Sequence, residues 1–272
     1  MKRIILSLFI ILCTGAVYAQ EVQPADSLAQ AAPVVTEYAS ELQRKFIEAY
    51  NAGEYPKAIA LLEKEKEEQL AKGMESADLY YNLGNAYFRD NEVAKAILYY
   101  ERALLLKPGD KDIQHNILYA NTRIEDKIAK AGTFFLSEWM KSLQETNSSD
   151  GWAVFAGVCF ILLVGVLFLF FFSRKIAFKQ LSFYLGILLV VLVIVGNVFA
   201  YRQKVDIQQR DYAIVMSPTA TVRSSPDKNS NQVFTLHSGT KVKITKDDRD
   251  WCEIEIISGN VGWIEKSRIE VI

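Results

Sequence analysis

The distribution of apolar residues divides the chain into segments of different kinds. Two segments, 152–172 and 181–201, each contain 21 consecutive residues without a charge. About 20 apolar residues in a helix cross the ~30 Å hydrocarbon core of a bilayer, where a helix satisfies all its backbone hydrogen bonds internally. Neither segment has the polar face that a surface helix of a soluble protein shows. The pattern therefore predicts two transmembrane helices.

A short loop, 173–180, joins the two predicted helices and contains three basic residues and no acidic one. Short loops with excess lysine and arginine lie on the cytoplasmic side of the membrane. We therefore expect a tight helical hairpin with a cytoplasmic loop. Cys159 and Asn197 are expected to pack or hydrogen-bond between the two helices. Neither apolar segment contains an acidic, basic or histidine side chain that could form a proton or ion path.

The N-terminus has an apolar segment of another type. Lys2 and Arg3 precede the apolar residues 4–17, and Ala19 then ends a short pattern typical of a cleavage point. This order predicts a secretory signal peptide, residues 1–19, with an uncleaved anchor as the alternative. Either form exports the next segment, so we expect both soluble domains in the periplasm and the hairpin in the bacterial inner membrane. Residues 20–36, rich in Ala, Gln and Pro, predict a flexible linker.

A shorter amphipathic stretch, 131–147, lies directly before the first predicted transmembrane helix. Phe135 and Trp139 recur on one side at helical spacing, and Lys141 falls on the other side. An apolar stripe with tryptophan beside a membrane helix is typical of a helix lying in the bilayer interface. Packing onto the preceding helical repeat is the alternative. Ser148 offers an N-terminal cap for the first membrane helix.

Residues 77–110 show the 34-residue spacing of a tetratricopeptide repeat. The spacing puts small residues, Gly84 and Ala96, where two antiparallel helices approach, and tyrosines around them. Asn91 stands at the turn, where a left-handed backbone is required and asparagine is tolerated. The positions that match the pattern are Leu83, Gly84, Tyr87, Ala96, Tyr100, Ala103 and Pro108.

A weaker copy of the repeat precedes it at about 39–72, with Gly53 in the place of Asn91. A further helix is expected from Lys111 to about Ala129 as a cap. We therefore predict an all-α tetratricopeptide solenoid over residues 37–130. Two repeats and a cap are short, because stacking normally needs about three units. Support from a partner or from the segment near the membrane is expected.

The first helices of such repeats line a concave groove that binds peptides. By repeat phase, six residues should face this groove: Tyr81, Asn85, Phe88, Arg89, His115 and Arg123. Asn85 matches one member of the carboxylate-gripping set of some repeats in this family, whereas Tyr81 stands where that set has lysine. Ordinary solvated helix positions are the alternative interpretation for all six.

After a predicted polar linker, 202–211, residues 212–272 change to short strand-like runs separated by turns. The motifs at 222–226, 238–240 and 262–264, together with Trp251, resemble a bacterial SH3 domain. The resemblance implies an all-β SH3-like barrel of five or six strands that binds cell-wall peptides or proteins. Arg223 and Trp251 are expected either as surface contacts or as supports of the turn and the strand pairing. Alternation buries Cys252, Ile254 and Ile256, so a core thiol is expected.

Composition limits the remaining function classes. The 272 residues carry a net charge of −1, which gives no electrostatic basis for binding nucleic acid. The two histidines fall in different domains, and the three cysteines show no ligand spacing. Neither a nucleophile–base set nor a phosphate-binding loop is recognisable in the sequence. We therefore predict no catalytic residues, no metal, no cofactor and no enzyme activity.

The order of these parts resembles the BatE proteins of the Bacteroides aerotolerance operon. The resemblance implies a multi-domain membrane protein in a complex with Bat-type membrane proteins that carry von Willebrand factor A domains. It also implies a MoxR-type ATPase, reached only indirectly because of the small cytoplasmic loop. The predicted function is a membrane-anchored periplasmic scaffold that binds partners through the groove. A cell-wall anchor that binds peptidoglycan, or an envelope stress sensor, acting through the SH3 domain, is the alternative.

Overall fold

The computed structural model describes residues 41–128 and 135–272. Three parts of the chain lie outside the described residues: the predicted signal peptide, the predicted linker at 20–36, and residues 129–134, which follow the helical part.

Residues 41–128 form an antiparallel arrangement of helices, here called the helical domain. The helices that start at Ala77 and Lys111 each begin with a side-chain cap, because Ser76 accepts from the backbone N–H of Leu79 and Asp110 from that of Ile113. Gly53 and Asn91 both have positive φ, 77° and 66°, at the turns inside the two helical hairpins. The five helices are α1 (Glu41–Asn51), α2 (Tyr55–Ala71), α3 (Ala77–Arg89), α4 (Val93–Leu106) and α5 (Lys111–Asn121).

The close approach of α3 and α4 depends on Gly84. A Cβ atom added there would overlap the ring of Tyr100, which is itself 1% exposed. Ala96 is fully buried in the same contact. The two small residues therefore let the helices approach, and the tyrosine ring fills the space above the glycine, as the spacing predicted.

Helix α5 is shorter than predicted, because it ends at Asn121 and not near Ala129. The ammonium of Lys127 donates to the carbonyls of Asn121 and Thr122 at 3.0 Å each, so the chain turns back over the helix end. This turn directs Asp126 and Ile128 towards the C-terminal domain. The helix therefore ends just before a long-range contact, that of Asp126 with His237, although the local apolar pattern would have continued it.

The amphipathic stretch forms a helix, α6 (Phe135–Gln144). Phe135 is 80% exposed and Trp139 is 52% exposed. The indole N–H of Trp152 donates to the carbonyl of Gln144 at 2.9 Å, which ties the end of α6 to the next helix. The two aromatic rings of the stripe are therefore open to their surroundings, and the position of the helix in a bilayer interface stays a prediction.

Two further helices, α7 (Ser149–Phe172) and α8 (Ile176–Gln209), are long and apolar enough to cross a membrane. Ser148 caps α7 by accepting from the N–H of Gly151 at 3.2 Å, as predicted. Only residues 173–175 connect the two helices, so the expected eight-residue loop is mostly the first turn of α8.

The predicted polar linker at 202–211 is also mostly helical, since α8 continues to Gln209. Its 34 residues span about 50 Å at 1.5 Å per residue. Gln203 is buried, and Arg210 ends the helix with a left-handed backbone, φ 48°. The C-terminal domain is therefore carried on a rigid extension of a membrane-type helix rather than on a flexible segment.

The contact between α7 and α8 includes Cys159, which is buried with Val166 and Leu189, as expected. The expectation for Asn197 was wrong. Its side chain is exposed, and its amide donates to the carbonyl of Val193 in its own helix at 2.8 Å. The side chain lies on a neighbouring face of α8 because the position next to it, Gly196, faces α7.

Residues 212–272, here called the sheet domain, form one antiparallel sheet of seven strands. The strands are β1 (Tyr212–Val215), β2 (Thr219–Arg223), β3 (Gln232–His237), β4 (Lys241–Asp248), β5 (Trp251–Glu255), β6 (Val261–Glu265) and β7 (Ile269–Val271). Their order in the sheet is β3-β2-β6-β5-β4-β1-β7, and a short 3₁₀ turn, Lys266–Arg268, precedes the last strand.

The sheet is open, which corrects the expected closed barrel of five or six strands. Strands β3 and β7 form its two edges. The guanidinium of Arg102, on α4, donates to the carbonyl of Val271 in β7 at 2.6 Å. The helical domain therefore covers an edge that barrel closure would otherwise have paired.

The sheet core contains Cys252, Ile254 and Ile256, as the alternation predicted. Burial raises the pKa of the Cys252 thiol to about 11, so this cysteine is an inert core residue. Gly239, with φ 91°, lies against Ile124 and Ile97 of the helical domain.

The helical and sheet domains share a core. Ile214 and Ile272 of the sheet domain are buried within the hydrophobic cluster of the helices, and Met216 packs against it. A solenoid of two repeats is thus supported by the chain's own C-terminal domain, which was not expected. The segment near the membrane, which was expected as a support, also contacts the repeat, since a Cβ added at Gly109 would overlap the carbonyl oxygen of Thr146.

Candidate functional site

The candidate site is the face formed by α3 and α5, the helices that line the groove in a repeat of this kind. The rings of Phe88 and Tyr119 lie 5.5 Å apart. The guanidinium of Arg123 lies 6.0 Å from the first ring and 5.7 Å from the second. A cation stacked on two aromatic rings is an arrangement suited to contacts with a peptide. We call Phe88, Tyr119 and Arg123 the aromatic–arginine cluster.

A second arginine, Arg89, extends this face towards the first helical hairpin. Its Nε and Nη2 atoms donate to the hydroxyl of Tyr55 at 3.0 and 2.9 Å. The hydrogen bond to Tyr55 raises the pKa of the Arg89 guanidinium, which keeps it charged. Since Arg89 is exposed, its charge adds to that of Arg123 on one surface.

Tyr81 and Asn85 do not face a groove as expected, because they are 9% and 2% exposed. The Asn85 carbonyl oxygen accepts from the Tyr100 hydroxyl at 2.8 Å and from the Asn116 amide at 3.0 Å. The same Asn116 amide lies 3.2 Å from the Tyr81 hydroxyl. These polar groups join α3, α4 and α5 from the inside, so their primary role is in packing.

His115 is exposed on α5, as its phase predicted. Sequence reasoning missed Tyr55 and Tyr119. The repeat period contained the signal for the second, since Tyr119 follows Asn85 by one 34-residue period. Tyr55 starts α2 at the position that Val93 has in the stronger repeat, and only its contact with Arg89 identifies it as part of this face.

In the sheet domain, Trp251 is 9% exposed, so it is not the surface contact considered for it. Arg223 is half-buried and its Nη1 atom donates to the carbonyl of Ser230 at 2.6 Å, across the turn between β2 and β3. Both residues therefore support the turn and the strands, which was the alternative interpretation.

A polar seam joins the helical domain to the sheet domain. The Asp126 carboxylate accepts from the hydroxyl of Thr240 at 2.6 Å and from the backbone N–H of His237 at 2.7 Å. Its other oxygen lies 2.7 Å from Nδ1 of His237. Burial favours a raised pKa for Asp126, but the hydrogen bonds from Thr240 and His237 outweigh it and lower that pKa.

Further ion pairs lie along this seam. The ammonium of Lys241 lies 2.6 Å from the Glu101 carboxylate, and Arg102 lies 3.1 Å from Glu270. Arg210, at the end of α8, pairs with Glu75 between α2 and α3. The membrane-type helix, the sheet and the helical domain are thus joined at several points. Over residues 41–128 and 135–272, no three His, Cys, Asp or Glu side chains are arranged to hold a metal ion.

Family models match two parts of the chain. The model described as tetratricopeptide repeat matches residues 77–110, and the model described as bacterial SH3 domain matches residues 218–270. No curated protein matches this chain. Both kinds of domain are typically non-catalytic binding modules, the first for proteins and the second for cell-wall material. The two predictions of domain type are therefore confirmed.

Proposed function

We propose that this protein is a membrane-anchored periplasmic scaffold that binds protein partners through the α3/α5 face, within a Bat-type complex. The observation that carries the proposal is the aromatic–arginine cluster together with the exposed Arg89 on one face. Aromatic and arginine side chains dominate protein-binding hot spots. The sheet domain packs on α4 and on the turn after α5, so it does not depend on Phe88 or Arg89 for its own attachment.

The sidedness follows from two features. The helical and sheet domains share a core, so both lie on one side of any membrane that α7 and α8 cross. The predicted signal peptide would export the segment that follows it, and the proposal therefore puts that side in the periplasm. The proposal takes the inner membrane as the bilayer that the hairpin crosses.

The partners proposed are the Bat-type membrane proteins with von Willebrand factor A domains. A cytosolic MoxR-type ATPase would meet only the tip of the hairpin. Residues 173–175 and the first turn of α8 cannot supply the ~800 Å² per partner of a standard interface. Any association with that ATPase is therefore indirect.

The test is crosslinking in native membranes with wild type and with the double variant Phe88→Ala, Arg123→Ala. Wild type should capture von Willebrand factor A-type membrane proteins. The amount captured by the variant should be at least about tenfold lower, since hot-spot residues contribute about 2 kcal/mol each. Lys228→Ala, at an exposed turn of the sheet domain, is the matched control. Capture retained by the double variant would place the binding site elsewhere.

The second candidate is attachment to peptidoglycan through the SH3 domain, favoured by the family match at 218–270. Because Ile214 and Ile272 lie in the shared core, the sheet domain should be tested within the full chain. Sedimentation of the detergent-purified protein with peptidoglycan sacculi, at equal protein and detergent concentrations, separates the two candidates. Co-sedimentation that survives Phe88→Ala, Arg123→Ala assigns wall binding to the sheet domain.

A further inference from the structure

A pocket of about 440 Å³ lies on the helical domain, away from the aromatic–arginine cluster. It lies between the start of α1, the second half of α2 and the turn before α3. Its walls combine apolar and acidic side chains, and Lys72 also lines it on the exposed side. The wall residues used below are Leu42, Glu65, Glu68, Gln69, Met74 and Glu75.

Glu65 is the unusual member of this pocket, because it is a carboxylate only 7% exposed. One of its oxygens accepts from the amides of Gln43 at 3.2 Å and Gln69 at 3.3 Å. The other oxygen is buried and has no hydrogen-bond partner in residues 41–128 or 135–272. A buried carboxylate oxygen without a donor costs free energy, so a ligand that supplied a donor would be favoured.

The neighbouring charges leave this group uncompensated. Glu75 is already paired with Arg210. Burial raises the pKa of Glu65, and repulsion from Glu68 raises it further, against the two amide hydrogen bonds. When Glu65, Glu68 and Glu75 are ionised, Lys72 on the exposed side and Arg210 on Glu75 leave the pocket one positive charge short.

The stretch of sequence next to α1, residues 4–43, contains no cationic side chain that could supply this charge. Between Arg3 and Arg44 the sequence has neither lysine nor arginine. The volume is much larger than a metal ion, and the described residues offer no metal-binding group of three ligands. The walls instead fit an alkyl stem against Leu42 and Met74 with a charged head on Glu65.

From this geometry we propose that the pocket binds an alkylammonium or alkylguanidinium group, as carried by a lysine or arginine side chain of a partner protein. The apolar wall takes the methylene stem. A rotation of the Glu65 side chain brings its buried free oxygen to the pocket, where the charged head donates to it. A small diamine carries the same chemistry, and the probes below distinguish the two sources. This would be a second binding site, independent of the α3/α5 face.

Met74 provides a direct reporter, because its side chain lines the pocket. The chain has four methionines, and Met140 and Met216 lie in other parts of the fold. We would label the methionine methyl groups with ¹³C in the full chain in lipid nanodiscs and assign the Met74 signal with Met74→Leu. The probes are N-acetyl-lysine methylamide, N-acetyl-arginine methylamide, cadaverine and the uncharged N-acetyl-norleucine methylamide.

The charged probes should shift the Met74 signal saturably and leave Met140 and Met216 unchanged, while the norleucine probe should not. Glu65→Gln should weaken binding at least about tenfold, because hydrogen bonds to charged groups contribute that much. Glu67→Gln, on the exposed side of the same helix, is the control and should bind as wild type does. Tighter binding of the capped amino acids assigns the site to a protein side chain, and tighter binding of cadaverine to a free diamine.

Three results would overturn the proposal. The first is an equal response to the norleucine and lysine probes, which would mean an apolar site. The second is unchanged affinity in Glu65→Gln with the fold retained by circular dichroism. The third is the absence of any saturable Met74 shift at about 10 mM probe, ten times the ~1 mM dissociation constant expected for one charged anchor. Each of these leaves the proposed function of the α3/α5 face untouched.

Discussion

The Asp126 carboxylate lies 2.7 Å from Nδ1 of His237, although the two residues are separated by 111 positions. The first belongs to the turn after α5, and the second to the end of β3. Hydrogen bonding to Asp126 raises the pKa of His237, and the charges of Asp126 and Glu125 add to the effect against partial desolvation. The contact between the two domains therefore contains a titratable group whose pKa is raised above its ordinary value of 6.5.

The first prediction follows from the sign of this shift. A histidine with a raised folded-state pKa contributes stability that is complete below its ordinary value of 6.5 and is lost as the pH rises through the folded value. Asp126, whose pKa is lowered, contributes above its ordinary value of 3.8 and loses that contribution only in acid. We expect the thermal midpoint of the soluble domains in nanodiscs to fall from about pH 6 to about pH 9.

This prediction is checked with a matched pair of variants, one at each of the two histidines. His237→Gln should flatten the pH dependence in that window, because the titrating partner of Asp126 is gone. His115→Gln, at an exposed position of α5, should keep the wild-type fall. A profile in which both variants behave alike would argue against a seam controlled by His237.

The second prediction concerns the close approach of α3 and α4. Gly84→Ala should lower the free energy of unfolding by about 1–3 kcal/mol, because the added Cβ overlaps the Tyr100 ring. This loss should exceed the ~1 kcal/mol that alanine gains over glycine in a helix. Denaturation followed by far-ultraviolet circular dichroism measures it. Gly157→Ala, where an added Cβ meets nothing within 4 Å, should have little effect; equal losses in both would contradict the packing argument.

The third prediction concerns the ion pair between Lys241 and Glu101, which joins the sheet to α4. A double-mutant cycle with Lys241→Met and Glu101→Gln should give a coupling free energy of about 0.5–1 kcal/mol. The value is modest because the lysine side chain is 41% exposed, and it should decrease at high salt. A coupling near zero at low salt would mean that this pair does not help to hold the domains together.

The fourth prediction concerns sidedness. The single variants Lys64→Cys, Asn229→Cys and Lys179→Cys should respond differently to a membrane-impermeant maleimide. The first two cysteines, in the two soluble domains, should react from the periplasm, and the third should react only after the membrane is permeabilised. Cys252 is buried, with a raised pKa, and should stay silent in the folded protein. Reaction of the two domains from opposite sides would be incompatible with their shared core.

The sequence alone determined those features that depend on local pattern. The 34-residue spacing with Gly84 and Ala96 predicted the tetratricopeptide helices, and the uncharged segments predicted two long apolar helices. Alternation along β5 predicted a buried Cys252. In each case neighbouring residues carry the signal, because helix and strand periods fix which side chains share a face.

Only the tertiary structure decided how the parts join. The end of α5 at Asn121, the helical course of residues 202–209 and the cover that Arg102 gives to the β7 edge of the open sheet all depend on contacts across the chain. Asn85 looked like a groove residue by phase, but α5 covers it through Asn116. The sequence does not predict these features, because the burial of a residue depends on which element packs against it. In this protein the packing residues, such as Ile214 and Ile272, are distant along the chain.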